Sequence, residues 1–237
     1  MFLRMKIRYS EKGVAIITMR QYLEEALAEC NMDIKCAATT PALKDLFDVD
    51  DKAPRLNKAE GEVFHSVCAK LLYVSLRARE DMLLSIAFLC TRVAKSTQQD
   101  QTKLKRVLQY IMGSLDDEYI LGADDMGKMR SWVDAAFAVH LDMKSHTGGV
   151  VSFGIGGVSC KSVKQKLVTK SSTEAETVGA SDYHPNTLWI HMFLEAQGYK
   201  IHESFLAGQR ERNEVGKERS HLRGAQVLPH YHPVLLD

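Results

Sequence analysis

The chain is organised around Lys164-Gln165-Lys166-Leu167-Val168-Thr169-Lys170-Ser171-Ser172-Thr173-Glu174-Ala175-Glu176. The apolar residues in its first half are typical of the end of a β-strand, and Ser171 with Glu174 has the S-x-x-E spacing of a helix capping box. Thr173 and Glu176 repeat that spacing, so the sequence leaves two alternatives, about two positions apart, for the first helical residue. Both alternatives predict a strand followed by a helix, with the Glu176 carboxylate in the first helical turn. Helix capping alone would also explain these residues.

Two further motifs lie upstream of this stretch. They are Trp132-Val133-Asp134-Ala135-Ala136-Phe137-Ala138 and Lys144-Ser145-His146-Thr147-Gly148-Gly149. Together with Lys164-Gln165-Lys166 and Ser171-Ser172-Thr173-Glu174-Ala175-Glu176, they form a series of separated motifs across residues 130–200. In this combination the chain resembles the ribonuclease H domain of copia-type LTR retrotransposon Pol polyproteins, whose first strand ends in Asp-Ala and is followed by a Lys-Ser-Thr-x-Gly hairpin.

The resemblance implies that Asp134 and Glu176 are catalytic residues and ligands of Mg²⁺. Cleavage of a phosphodiester with two metal ions about 4 Å apart needs several carboxylates, and hard oxygen ligands suit Mg²⁺. The third carboxylate of the family is the aspartate of a Gln-Asp-Asn motif, expected soon after Ile201. The sequence at 204–210 lacks this motif. We therefore expect little or no nuclease activity from this chain.

The first half of the chain carries further motifs that resemble the same polyprotein, from the region after its polymerase. They are Phe2-Leu3-Arg4-Met5, Thr40-Pro41-Ala42, Phe64-His65-Ser66, Ala69-Lys70-Leu71-Leu72-Tyr73, Phe88-Leu89-Cys90-Thr91-Arg92-Val93 and Leu104-Lys105-Arg106-Val107-Leu108-Gln109-Tyr110. Arg4 replaces a glycine of the family motif. The adjacent aspartates of the polymerase would precede residue 1, so we expect no polymerase active site in this chain.

Charge is balanced overall but not locally. The net charge is +1, whereas residues 70–106 contain eight basic and three acidic side chains. Such an excess suits a phosphate-facing surface, and a solvated helix face is the ordinary alternative. The resemblance implies an RNA/DNA hybrid or other nucleic acid as the ancestral partner. The residues expected to contact it are Lys103, Lys105, Arg106, Lys144 and Ser145.

Composition limits the class of protein. The chain has 237 residues, 45% hydrophobic and 26% charged, as in a globular protein of one or two domains. The five cysteines are scattered and odd in number, which favours a reducing compartment over a disulfide framework or zinc site. No apolar run reaches the ~18 residues of a membrane span. We expect an intracellular protein, cytoplasmic or nuclear, with neither a membrane nor a small-molecule cofactor as partner.

The predicted fold class is α/β, an incomplete ribonuclease H-like mixed sheet preceded by a mainly helical connection region. A β-hairpin over residues 5–19 and a helix at 20–30 open the chain. Three helices are expected within residues 62–114, the last with a buried stripe of Leu104, Val107, Leu108, Ile111 and Met112. The predicted domains are 1–36 from the end of the reverse transcriptase, a linker at 37–60, the connection region at 61–118, a partial ribonuclease H-like domain at 119–202, and an irregular tail at 203–237.

Within the ribonuclease H-like segment we predict three strands, at 131–139, 149–155 and 158–164. Turns are expected at 144–148 and at Gly156-Gly157. The helix that carries Glu176 would extend to about residue 197, and Pro185 should kink or split it.

The tail from Gly208 to Asp237 loses both periodicity and family likeness. Back-translation with free choice of synonymous codons, read one base out of frame, can spell Gln-Asp-Asn-Glu-Ser-Ala and continue close to the missing family sequence. A single-base frameshift near Ala207 is therefore our hypothesis for the tail. The histidines at 221, 230 and 232 have neither cysteine partners nor helical spacing, which disfavours a metal site.

Three functional interpretations follow. The favoured one is a remnant of a reverse transcriptase/ribonuclease H polyprotein, whose ancestral activity was Mg²⁺-dependent cleavage of RNA in RNA/DNA hybrids. The alternative is a non-catalytic nucleic-acid-binding fragment that uses the basic region at 70–106. The third is a partly folded product without function, since an unfinished sheet exposes an unpaired edge.

Overall fold

The computed structural model describes residues 2–11, 13–30 and 32–207. The chain divides into two compact units, Met1–Gly122 and Ala123–Asp237. Both contain helices and strands, so the prediction of a mixed α/β protein is confirmed. Among the described residues, no helix combines the length and apolarity that crossing a membrane requires.

The elements are numbered in chain order. The first unit contains β1 (Lys6–Tyr9), β2 (Ala15–Thr18), α1 (Arg20–Cys30), α2 (Lys58–Ser75), α3 (Leu83–Cys90) and α4 (Gln98–Gly113), with β3 (Tyr119–Ala123) ending at the boundary. The second contains β4 (Lys128–Ala136), β5 (His146–Ser152), β6 (Gly154–Ile155), β7 (Ser159–Lys164), α5 (Ser172–Ala196) and β8 (His202–Ala207).

The predicted N-terminal elements are confirmed. Strands β1 and β2 pair antiparallel, and β2 pairs antiparallel with β3. Helix α1 has the predicted bounds, and the three helices expected in 62–114 are α2, α3 and α4. Of the predicted stripe on α4, Leu104, Val107, Leu108 and Ile111 are buried, while Met112 is 36% exposed. Met112 lies eight residues after Leu104, where the 3.6-residue period has carried the side chain off the buried face.

A tight turn precedes β1. The Phe2 and Met5 backbones exchange hydrogen bonds of 3.0 and 2.8 Å, and the two residues between them have positive φ, +48° at Leu3 and +67° at Arg4. Residues other than glycine disfavour this left-handed region because their Cβ comes too close to the following carbonyl oxygen. Arg4 therefore occupies a position where the absence of a Cβ would relieve strain, and this is the position of the family's glycine.

We expect Arg4→Gly to stabilise the protein by about 1 kcal/mol relative to Arg4→Ala, because both variants lose the Arg4 side chain but only glycine relieves the strain. Arg4→Ala is the matched control, since it also removes the exposed ion pair with Glu25 at 3.2 Å. Urea unfolding measures the difference. Equal stability of the two variants would contradict a strained turn.

The sheet of the second unit has the order β7-β5-β4-β8. Strand β5 pairs antiparallel with β4 and β7, whereas β8 runs parallel to β4. The prediction of a turn at 144–148 is wrong in its second half, because His146 opens β5. A strand hydrogen-bonded on both edges satisfies its backbone better than a turn does, which outweighs the turn tendency of the glycines.

Helix α5 packs on β4 and β5 through two glycines. A Cβ at Gly149 would lie 2.5 Å from the ring of Tyr183, whose side chain is completely buried. A Cβ at Gly179 would lie 3.0 Å from Oγ1 of Thr147 and 3.6 Å from Cβ of Ala135. The helix reaches the sheet only because these positions lack side chains.

The prediction that Pro185 splits this helix is wrong, since α5 is continuous from Ser172 to Ala196. Proline removes one backbone donor, and the carbonyl four residues earlier belongs to exposed Ser181, where water can satisfy it. The buried side chains of Tyr183 and Thr187 hold both sides of Pro185 against the sheet. Packing therefore maintains the helix through the proline.

We expect Gly149→Ala to destabilise the protein by about 1–3 kcal/mol, because Tyr183 must move out of a packed site. Gly148→Ala is the matched control, since nothing lies within 4 Å of a Cβ there. Thermal or denaturant unfolding of the two variants measures the difference. If the two variants lose the same free energy of unfolding, the close approach of α5 to β5 is not the reason that residue 149 must be glycine.

Candidate active site

The stretch that ends in Glu176 forms a capped helix start. Ser171 is the N-cap, and its Oγ accepts a hydrogen bond of 3.2 Å from the Glu174 N–H. The Glu174 carboxylate accepts from the Lys170 N–H at 2.6 Å rather than from the N-cap residue itself. Because the helix begins at Ser172, Glu176 lies in the second turn, and its predicted place in the first turn is wrong by one residue.

Asp134 lies near the carboxyl end of the central strand β4, opposite Gly148 of β5. Its Oδ1 accepts a hydrogen bond of 3.0 Å from the N–H of Ala135, and the residue is half-buried. Gly148 has no side chain to cover this part of the strand. The carboxylate therefore remains accessible at the end of the sheet.

Glu176 lies within electrostatic range of Asp134. Burial raises the pKa of the Glu176 carboxyl above its usual range, and the negative charge of Asp134 raises it further. The packing of Gly179 on Ala135 places the start of α5 beside the carboxyl end of β4, where Asp134 lies. Two acidic side chains distant in sequence thus share one electrostatic environment.

A third carboxylate in this cluster is not found among the described residues, which contain no group of three His, Cys, Asp or Glu side chains able to hold a metal. Glu203 of β8 pairs with Met129, five residues before Asp134 on β4. At about 3.3 Å per residue this places Glu203 roughly 16 Å along the sheet from Asp134. The irregular tail predicted for 203–237 is wrong at its start, because residues 203–207 belong to β8, which pairs with β4 up to Val133 opposite Ala207. The rest of that tail, 208–237, lies outside the described residues.

Ser145 and Lys144, predicted to contact nucleic acid, take part in the framework around β5. The Ser145 hydroxyl is buried, accepts from the Ala138 N–H at 3.1 Å, and lies 3.1 Å from Oγ1 of Thr169. The Lys144 ammonium lies 3.7 Å from the Asp142 carboxylate. The geometry gives Ser145 a structural role, and it leaves Lys144 at the surface.

The other three predicted nucleic-acid residues lie on α4 in the first unit. The Lys103 ammonium donates to the carbonyls of Leu46, at 2.9 Å, and Asp48, and burial lowers its pKa. The Arg106 guanidinium donates to the Thr40 carbonyl at 3.2 Å and to its hydroxyl at 2.9 Å. Lys105 is half-buried. Two of the three cations therefore hold the segment before α2 in place.

Sequence reasoning missed two sets of buried polar residues. His140 Nε2 lies 3.0 Å from His146 Nδ1, and His146 Nε2 lies 2.7 Å from the Ser162 hydroxyl. Burial lowers the pKa to about 4 for His140 and about 3 for His146, so both are neutral at pH 7. Because His146 stands two residues before Gly148 in a predicted turn, nothing in the sequence indicated that its ring is buried and hydrogen-bonded.

Gln165, the centre of the Lys-Gln-Lys motif, forms the second set. Its amide donates to Oγ1 of Thr147 at 2.9 Å and to the carbonyl of Ala175 at 2.8 Å, and the side chain is buried. It thereby joins β5 to the first turn of α5, next to Glu176. The signal was present in the motif, but a polar residue between two lysines does not by itself indicate burial.

We expect Asp134→Asn to lower the pKa of Glu176 toward its ordinary value, because the substitution removes the negative charge that disfavours ionisation. The side-chain carboxyl ¹³C shift of Glu176, followed by NMR across acidic pH, measures it. Asp182→Asn, on the same helix and not among the groups that shift Glu176, is the matched control. An unchanged pKa in Asp134→Asn would show that the two carboxylates do not interact.

Comparisons with known proteins identify related chains. No protein-family model matches, and neither does any solved structure. The "Retrovirus-related Pol polyprotein from transposon TNT 1-94" of Nicotiana tabacum is 25% identical over 187 residues, 77% of this chain. The corresponding polyprotein from transposon RE1 of Arabidopsis thaliana is 26% identical over 192 residues, 78% of this chain. An uncharacterized mitochondrial protein of Arabidopsis thaliana is 25% identical over 177 residues and is itself covered to 71%.

The chain spans only a small part of the two polyproteins, 14% of TNT 1-94 and 12% of RE1. Its likeness extends over about three quarters of its own length, as the motifs in both halves predicted. The recognition of a retrotransposon polyprotein is thereby confirmed. The chain is similar to part of the retrovirus-related Pol polyproteins from transposons.

Proposed function

We propose that the second unit derives from the ribonuclease H domain of a retrotransposon Pol polyprotein, and that its nuclease activity is low or lost. The strand order supports this derivation: three antiparallel strands, β4, β5 and β7, are followed by a helix and by β8, parallel to β4. A mixed sheet of this kind presents the end of its central strand beside the start of the helix. Those are the positions of Asp134 and Glu176.

The observation that carries the proposal is the interaction of these two carboxylates. Burial and, after it, the charge of Asp134 raise the pKa of Glu176, an arrangement that costs folding free energy unless a cation or a proton compensates it. A carboxyl group whose pKa is raised by burial and by a neighbouring negative charge is typical of sites with a chemical function. Helix capping alone, the other interpretation of the 171–176 stretch, does not explain why Glu176 approaches Asp134.

Magnesium is the ion that the resemblance implies, and the donor set fits it in type, since both ligands are carboxylates. Asp134 and Glu176 would hold the ion, which supplies charge to activate water and to stabilise the leaving oxygen. Protonation of Glu176 competes with this role, so acid weakens the site.

Low activity follows from the number of ligands. Two carboxylates hold a metal pair less firmly than three, and Glu203 lies too far along β8 to contribute. In the first unit, Lys103 and Arg106 donate hydrogen bonds to backbone carbonyls of the same unit. These two cations therefore do not support a nucleic-acid surface on α4. Of the two second-unit residues predicted to contact nucleic acid, Lys144 rather than buried Ser145 lies at the surface.

We expect the purified chain to cleave a labelled RNA/DNA hybrid in Mg²⁺ no faster than its Asp134→Asn variant. Release of short RNA fragments measures the rate, and an RNA duplex is the substrate control. Mg²⁺-dependent cleavage that disappears in both Asp134→Asn and Glu176→Gln would overturn the claim of inactivity while supporting the assignment of the site.

A further inference from the structure

The sheet of the second unit has two outer strands, β7 and β8, and each pairs along only one of its two edges. Strand β8 pairs with β4 from His202 to Ala207 in one unbroken parallel register. On its other side, no backbone hydrogen bond joins β8 to any residue in the described part of the chain. A row of unpaired N–H and C=O groups on a strand edge is a template for a further strand.

One hydrogen bond shows which residues of β8 face this outer edge. The His202 N–H donates to the Gly127 carbonyl at 2.7 Å, so the backbone groups of His202 face the β4 side. Successive residues of a strand turn their N–H and C=O groups to opposite edges. The backbone groups of Glu203, Phe205 and Ala207 therefore face the outer edge.

The other outer strands in the described part of the chain are protected against further pairing. Natural sheets protect an exposed edge with lysine or other charged side chains, with proline or a bulge, or by making the strand very short. Strand β1 carries Lys6 and Arg8, β7 carries Lys161 and Lys164, and β6 has two residues. Each of these edges thus has one of the usual forms of protection.

Strand β8 lacks such protection. Its six residues include no Pro, Lys or Arg, and its register with β4 is continuous, without a bulge. The Glu203 carboxylate lies 3.4 Å from Nδ1 of His191 on α5, so this charge is directed to the helix and not to the outer edge. The outer edge of β8 is therefore open to another strand.

We propose that the outer edge of β8 pairs antiparallel with the same edge of a second copy of this chain. A two-fold axis at Phe205 places this residue opposite its own copy and Glu203 opposite Ala207. All three residues turn their backbone groups outward, so each of the three pairs can exchange two hydrogen bonds, about six in total. Glu203 faces a neutral residue in this register, and no like charges oppose each other across these pairs.

The sequence that follows β8 is a poorer partner for this edge than a second copy. Residues 209–219 contain seven charged side chains, and the segment 225–236 contains Pro229 and Pro233. Proline lacks the N–H that a strand ladder needs, and it is confined to special positions within sheets. The β8 edge contains no such residue and is complementary to itself, which favours self-association.

The size of the contact determines its strength. Six strand residues per copy are far fewer than the roughly 20–30 residues that each partner contributes to a standard stable interface. The dimer is therefore weak and forms as the concentration of the chain rises. Because the contact uses the same edge of both copies, it closes on itself and association ends at the dimer.

Sedimentation velocity of the full chain over a wide range of concentration tests the proposal. We expect the wild type to pass from monomer to dimer as its concentration rises. Ala207→Pro should weaken the dimer at least about tenfold, because proline removes one outward N–H from each copy and leaves the bonds to β4 in place. Ala207→Val is the matched control, since it keeps the N–H and should not weaken the dimer. Circular dichroism checks that both variants are folded.

Hydrogen exchange of the wild type is a second measurement, which needs no variant. The Phe205 and Ala207 amides should exchange slowly at high concentration and fast at low concentration, whereas the His202 amide stays protected at both. A wild type that remains monomeric at every concentration would overturn the proposal. Dimers of undiminished strength in Ala207→Pro would overturn it by placing the contact elsewhere. Phe205 and Ala207 amides that are already protected in the monomer would overturn it by showing that another segment covers the edge.

Discussion

The close approach of α5 to β5 is the constraint on which the second unit depends. Gly149 and Gly179 let the helix lie directly on the strands, and the buried ring of Tyr183 fills the space that a Cβ at Gly149 would take. Gln165 fastens the start of the helix to the same strand through Thr147. Because the helix cannot move away from or along the sheet without losing these contacts, Glu176 is held near Asp134. The candidate site is thus a consequence of packing.

The same packing separates the two faces of α5. One face carries Tyr183 and Thr187, both completely buried, and determines where the helix lies. The other face carries Trp189 and Phe193 and plays no part in the fold of the unit. Folding alone does not require large apolar side chains on a surface that water reaches, since their exposure forgoes the free energy of burial. Exposed apolar patches of this kind are typical of interaction sites.

Much of the architecture could be predicted because its signals are local. The alternation in the first hairpin, the period of α4 and the serine before α5 each specify an element without help from distant residues. Tertiary packing decided the rest. Pro185 is tolerated because buried residues on either side hold the helix, and His146 joins β5 because both edges of that strand are paired. Asp134 and Glu176 were identified through family motifs, whereas spacing alone could not show that they meet. The engagement of Lys103 with carbonyls of a preceding segment was likewise beyond any local pattern.

We propose that this chain derives from a retrotransposon Pol polyprotein, with Asp134 and Glu176 as two of three site carboxylates and the third lost by a frameshift near Ala207. The nucleotide sequence across codons 203–237 tests that claim most directly. We expect a neighbouring reading frame to encode Gln-Asp-Asn-Glu-Ser-Ala and to continue in the family sequence. If neither alternative frame encodes it, the tail is coding sequence in its own right, and the frameshift explanation for the missing carboxylate is contradicted.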